Sequence, residues 1–200
     1  MRPLLVLDVD GVLNPSGPRS RPEPPWVTFT DDWTGEPVAL NPRHGERLLA
    51  LSERTGCELV WGTSWEERAN EKVAPRLGLP DLPVIAVSTE PPGLDYGVLW
   101  KTGHIAAYAA GRPFVWLDDH PGDLDSDFLA AHGAPDHLII VVDPEAGLQD
   151  RHLDHAGRWL AARGQGPGQA SPGAASPEDR IMIDPGAAVA GRHLRDRCPW

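Results

Sequence analysis

The sequence predicts an α/β fold, a doubly wound, Rossmann-like three-layer sandwich built on a central parallel sheet of about five strands. Three observations carry this expectation. Short apolar runs recur at residues 4–7, 58–61, 83–87, 114–117 and 138–142. They are continuous rather than alternating, as strands covered on both faces must be. Stretches with helical spacing separate them, so that strand and helix follow one another in turn.

The first run, Leu4-Leu5-Val6-Leu7, ends in Asp8-Val9-Asp10-Gly11. Residues 15–42 then break the pattern. A Pro- and Gly-containing loop is followed by Trp26-Val27-Thr28-Phe29-Thr30, a polar turn over 31–35, and Pro37-Val38-Ala39-Leu40, which together read as a loop and a β-hairpin flap. Helical spacing over 43–55 carries Leu48, Leu49 and Leu51, and a second helix over 65–77 follows Thr63-Ser64. A third over 101–110 carries Ile105, Ala106 and Ala109, and helices over 124–132 and 145–163 complete the set. From about residue 165 the composition turns to Gly, Pro, Ala, Ser and Gln, relieved only by Ile181-Met182-Ile183. Residues 1–164 therefore read as the folded domain and 165–200 as a mostly disordered tail.

With 200 residues and 40% hydrophobic content, the chain supports one sizeable core and a short appendage. A formal net charge of -11, from 29 acidic and 18 basic residues, argues against broad electrostatic attraction to nucleic acid or anionic membranes, though it leaves room for a local basic groove. The two cysteines, Cys57 and Cys198, form neither a disulfide framework nor a metal-ligand cluster and read as reduced thiols. The N-terminal apolar run breaks at Asp8, shorter than a signal-peptide core, and no apolar stretch is long enough to cross a bilayer. These features place the protein in the cytoplasm, with no membrane partner.

Open parallel sheets collect ligands at the carboxyl ends of their strands, and polar residues follow the apolar runs selectively. Side chains alternate along a strand, so Asp8 and Asp10 point to one side while Val9 points away. Such a pair is costly beside apolar residues unless a cation joins it, and its oxygen ligands suit Mg²⁺. Gly11 then permits a sharp turn. Thr63 and Ser64 stand at a strand-to-helix junction, where a hydroxyl and free backbone amides can hold a phosphate oxygen. Taken alone they also serve as an N-cap, with Glu66 or Glu67 completing a capping box. Lys101 opens the next helix, where one cation could neutralise both a carboxylate and a phosphoryl oxygen. Finally, Asp118-Asp119-His120-Pro121-Gly122-Asp123 places three carboxylates where they repel one another unless a positive group lies between them.

The order Asp8-x-Asp10-Gly-Val, Thr63, Lys101 and Asp118-Asp119-x-x-x-Asp123 resembles the four motifs of the haloacid dehalogenase (HAD) superfamily, spread over residues 4–123. Leu-Asp-Val-Asp-Gly-Val-Leu-Asn and Val-Trp-Gly-Thr-Ser-Trp-Glu-Glu-Arg-Ala-Asn, with Gly147-Leu148, further resemble the HAD domains of Swiss Army Knife RNA repair proteins. The resemblance implies a Mg²⁺-dependent phosphomonoester hydrolase, with residues 1–164 as its catalytic domain. Asp8 would attack phosphorus, and Asp10 would protonate the leaving oxygen and later activate water. Thr63 and Lys101 would hold the phosphoryl group. The resemblance further assigns Mg²⁺ to the carboxylate of Asp8, the backbone carbonyl of Asp10 and the carboxylate of Asp119, with Asp118 and Asp123 in support. Asn14, Ser64, Trp65 and Asn70 are further candidates.

The intervals before and after Thr63 are filled by the flap and regular elements, so no large cap domain is expected and the site should be open. In this superfamily an open site goes with large substrates or partners. The phosphorylated substrate is then a small molecule or a polynucleotide end. Trp26, Trp33 and Trp65 either pack the flap against the body or stack on a ring. Two non-enzymatic alternatives compete. A catalytically silent HAD-like binding module would keep the same residues. A phosphate-accepting receiver domain would place its lysine last, whereas here Lys101 precedes Asp118.

Overall fold

Leu4–Leu7 forms strand β1, buried along its whole length near the middle of a five-stranded parallel sheet. The computed structural model describes residues 1–17, 26–87, 97–164 and 180–185. After β1 come the hairpin strands β2 (Val27–Thr30) and β3 (Pro37–Leu40), α1 (Arg43–Thr55) and β4 (Glu58–Trp61). A π-helical turn over Ala69–Val73 runs into α2 (Ala74–Leu77), followed by α3 (Thr102–Ala109) and β5 (Phe114–Asp118). Then follow α4 (Asp123–Ala131), β6 (His137–Val141), α5 (Asp150–Gly164) and β7 (Ile181–Ile183). The sheet runs β4-β1-β5-β6-β7 with every neighbouring pair parallel, while β2 and β3 pair with each other antiparallel.

The unbroken apolar runs are explained by the two cores. Leu5, Leu7, Trp61, Val115, Leu117 and Ile140 pack on one side with Leu48 and Leu51 of α1 and Leu153 and Leu160 of α5. Their strand neighbours Leu4, Val6, Val60, Trp116 and Ile139 pack on the other with Ile105 and Ala109 of α3 and Leu129 of α4. Both faces are thus covered, and the three-layer α/β sandwich read from the sequence is the fold observed. Each of these side chains contributes roughly 1.5–3 kcal/mol by leaving water, which makes the sheet a stiff base for whatever its strand ends carry.

The sequence reading differs from the structure at four places. Residues 83–87 are not a strand. They make a bridge at Val84 beside Trp61, whose amide donates to Pro83 O at 2.9 Å and whose carbonyl accepts from Ile85 N at 2.9 Å. Pro83 has no amide hydrogen with which to extend a ladder. The fifth strand is instead β7, within the segment read as tail, where three residues in a Gly- and Pro-rich context give too short a signal; residues 165–179 and 186–200 of that tail lie outside the described residues. The helix read over 65–77 is interrupted. Glu66 adopts φ 46, and the π-helical turn leads into α2, whose first turn contains Pro75. The last helix begins at Asp150 rather than 145, because Gly147 takes φ 70 and Leu148 N donates to Val12 O at 2.8 Å. No helix among the described residues is long and apolar enough to cross a membrane.

Candidate active site

Three strands end side by side. Leu7 pairs with Trp61 on one flank and with Leu117 on the other, so Asp8, Gly62-Thr63 and Asp118 emerge together at the carboxyl edge of the sheet. The turn after β1 closes on Val9 O, which accepts from the amides of Val12, Leu13 and Asn14 at 3.3, 2.8 and 2.8 Å. Gly11 stands in this turn at φ 71, and a Cβ there would lie 2.4 Å from Cγ and Oδ2 of Asp119. Glycine is therefore required twice, by the left-handed backbone and by the close approach of the second acidic group.

Asp8 and Asp10 differ in their partners. Asp8 is buried; its Oδ1 accepts from Val9 N at 2.7 Å and its Oδ2 from Lys101 Nζ at 2.5 Å. Asp10, at the rim, accepts from Asn14 Nδ2 at 2.9 Å and from Trp65 Nε1 at 2.8 Å. Lost hydration raises the Asp10 carboxyl above its ordinary range, with the charges of Asp8 and Asp119 adding and the two donors opposing. The flap supports this arrangement: Asn14 Oδ1 accepts from Ala39 N at 3.0 Å, and Phe29 meets the Trp65 ring edge-on at 6.5 Å. Trp65 thus packs the flap on the body and also holds Asp10. Trp26 is half-buried, whereas Trp33 is 79% exposed.

Lys101, immediately before α3, is buried and spans two clusters, its Nζ lying 2.5 Å from both Asp8 Oδ2 and Asp118 Oδ2. Burial alone would lower its pKa, but Asp118 and Asp8 outweigh that effect and raise it. Asp118 also accepts from Trp116 Nε1 at 3.1 Å and from His120 N at 3.0 Å. Burial, with repulsion from Asp8 and Asp119, pushes its carboxyl up to about 7 against the pull of Lys101. The charge of Asp119 is shared with His120, whose Nδ1 lies 2.7 Å from Asp119 Oδ1 and whose pKa this contact raises.

Thr63 is fully buried at the end of β4, its Oγ1 accepting from Trp65 N at 3.3 Å and its hydroxyl hydrogen left to donate elsewhere. Ser64 beside it is exposed. Asn70 lies in a different role, clamping Trp61 Nε1 at 2.8 Å and Leu82 N at 2.9 Å. Asp123 is exposed in the first turn of α4; the buried carboxylate of that turn is Asp125. Asp125 accepts from Leu99 N and Gly122 N at 2.8 Å each and from the Thr102 hydroxyl, tying the start of α3, and so Lys101, to the acidic turn. Sequence reasoning missed Asp125, although helical spacing back from the buried pair Phe128 and Leu129 points to it.

The assembled donor set is unbalanced. Asp8 and Asp118 share the ammonium of Lys101, the charges of Asp10 and Asp119 lie close by, and ligand atoms of Asp118, Asp119 and His120 lie within 4.8 Å of one another. Under-compensated carboxylate oxygens fit a hard divalent cation. A family model described as the HAD domain in Swiss Army Knife RNA repair proteins matches residues 4–153, an interval that includes every candidate residue above. No curated protein gives a significant match to the chain.

Proposed function

Because the chain belongs to the family of HAD domains in Swiss Army Knife RNA repair proteins, we propose that this HAD-superfamily hydrolase is a phosphatase that cleaves phosphomonoesters through an aspartyl-phosphate on Asp8. One observation carries the reading. Lys101 offsets the charge of Asp8 while Asp10, two residues away, is biased toward its protonated form. A carboxylate paired with an ammonium beside a carboxyl biased toward its protonated form suits a nucleophile and a general acid.

An oxygen of Asp8 retains a lone pair beyond its present donor and forms the bond to phosphorus as the ester P–O bond breaks. Asp10 gives its proton to the leaving oxygen. It then takes a proton from water, whose oxygen attacks phosphorus and releases inorganic phosphate and the free Asp8 carboxylate. The Thr63 hydroxyl and Lys101 Nζ hold the phosphoryl oxygens in line. Mg²⁺, held by Asp8, the Asp10 backbone carbonyl and Asp119, would supply stabilisation of developing phosphoryl charge. We assign the supporting roles to Asp118 and Asp125, since exposed Asp123 projects from the first turn of α4.

The described residues between Asp10 and α1 include a single hairpin and no separate cap domain, which supports an open site and a substrate as large as a polynucleotide end. Phosphate release from an aryl phosphate, with and without Mg²⁺, tests the reaction. We expect Mg²⁺-dependent turnover in the wild type and a fall of at least about 10³-fold in Asp8→Asn at unchanged circular dichroism. Absence of turnover on aryl, nucleotide and oligonucleotide phosphates would establish a silent binding module instead.

A further inference from the structure

A cavity of about 430 Å³ is lined by Trp33, Trp65, Trp100 and Arg68 together with Glu66 and Glu67. It adjoins the candidate site at two points of the chain. Trp65 follows Thr63-Ser64 and donates to Asp10, and Trp100 precedes Lys101, whose Nζ lies 6.0 Å from the Trp100 ring. A group attached to a phosphate bound at Asp8 would therefore meet this wall.

The wall has the character of a stacking site for a planar ring. Trp33 is 79% and Trp100 39% exposed, a large apolar surface to leave in water without an occupant. The Arg68 guanidinium lies 5.5 Å from the Trp33 ring and 4.7 Å from the Trp65 ring, and Asp31 neutralises it. Among the described residues a second phosphate thus finds no uncompensated positive charge at this wall and meets the carboxylates of Glu66 and Glu67. Glu66 is engaged with Val87 N at 2.8 Å, whereas the Glu67 carboxylate, which accepts from Asn70 Nδ2 at 3.3 Å, has further lone pairs for an N–H donor on the edge of a heterocycle. A cavity of this size holds one base.

We infer that the tryptophan-walled cavity is the leaving-group subsite, and that it takes the nucleobase of a substrate whose phosphate reacts at Asp8. The inference rests on the phosphatase reading for turnover but not for binding. Wild type, Trp33→Ala and Trp33→Phe are titrated calorimetrically with adenosine, which has no phosphate. They are then assayed with adenosine monophosphate, a phosphate-terminated oligonucleotide, ribose phosphate and glycerol phosphate.

We expect saturable adenosine binding, weakened about tenfold in Trp33→Ala and retained in Trp33→Phe, in keeping with base–aromatic stacking. On the nucleotide and the oligonucleotide, kcat/KM should fall about tenfold in Trp33→Ala while turnover of ribose and glycerol phosphates is unchanged. The ratio of oligonucleotide to mononucleotide turnover separates the two sources of base. No adenosine binding, or equal loss on all four phosphates, would overturn the subsite. Adenosine binding that depends on Trp33, without phosphate release from any compound, would uphold the subsite and overturn the phosphatase.

Discussion

Asp8 and Asp184 occupy equivalent places, each the first residue beyond a parallel strand at the same edge of the sheet, and each is buried. Their surroundings differ. Asp184 receives Arg151 Nη2 at 2.6 Å and His152 Nε2 at 3.1 Å, both from α5. Burial would raise its carboxyl, but these donors outweigh burial and hold it below the ordinary value. Asp8 must share the ammonium of Lys101 with Asp118, while Asp119 and Asp10 add further negative charge nearby. A carboxylate at a strand end is therefore not in itself a catalytic feature. What separates the two clusters is charge balance: the β7 cluster is satisfied, whereas the β1–β5 cluster leaves carboxylates in excess, a set that fits a hard divalent cation.

Removing the shared cation should break the comparison most sharply. Lys101→Met leaves Asp8 and Asp118 buried without their partner, and we expect a loss of about 3–5 kcal/mol in urea unfolding, part of it recovered by added divalent cation. Stability equal to the wild type would show that Lys101 is not the counter-charge of the site. Asp184→Ala should cost less, about 1–3 kcal/mol, because Arg151 is half exposed and can turn to water. Faster amide exchange in β7 with unchanged kcat is the expected pattern.

The two clusters also titrate with opposite sign. Asp118, raised to about 7 from 3.8, lets the metal-free folded chain bind more protons than the unfolded chain between those values, so its contribution to stability falls as pH rises through that window. Asp184, held low, contributes stability that is present above about pH 4 and lost as pH falls through its folded-state pKa. Metal-free Asp118→Asn should accordingly gain a few degrees in Tm near pH 7 and lose the downward slope between about pH 4 and 7. An unaltered slope would place the titrating group elsewhere.

The smallest effect concerns Asp10. Trp65→Phe removes one of the donors that hold its pKa down, which should move the alkaline limb of the kcat/KM profile upward and lower kcat a few-fold. A fall in kcat with an unmoved limb would reduce Trp65 to a packing residue.

The sheet, the hairpin and the helices α1 and α3 were legible because their signals are local. Continuous apolar runs and helical spacing report burial on two faces or on one. Residues 83–87 and β7 were misassigned because pairing at a sheet edge depends on the neighbouring strand and on available amides, not on apolarity. Asp8, Asp10, Lys101 and Asp118 were named from type and order, and the fold brings them to one edge of the sheet. That Asp125 and not Asp123 is the buried carboxylate of the first turn of α4 was not legible, since it turns on the phase of α4 against the sheet. Trp65 shows the middle case: its packing was foreseen, its hydrogen bond to Asp10 was not.

The sequence by itself determined where carboxylates, the hydroxyl and the lysine would be delivered, because strand periodicity and chain order are properties of neighbouring residues. Only the tertiary structure decided which charges are compensated. Lys101 reaches Asp8 across 93 residues and His152 reaches Asp184 across 32, and both desolvation and Coulomb attraction depend on what packs nearby in space. Two aspartates in the same local setting thus became a tie between strand and helix in one case and part of an under-compensated acidic cluster in the other.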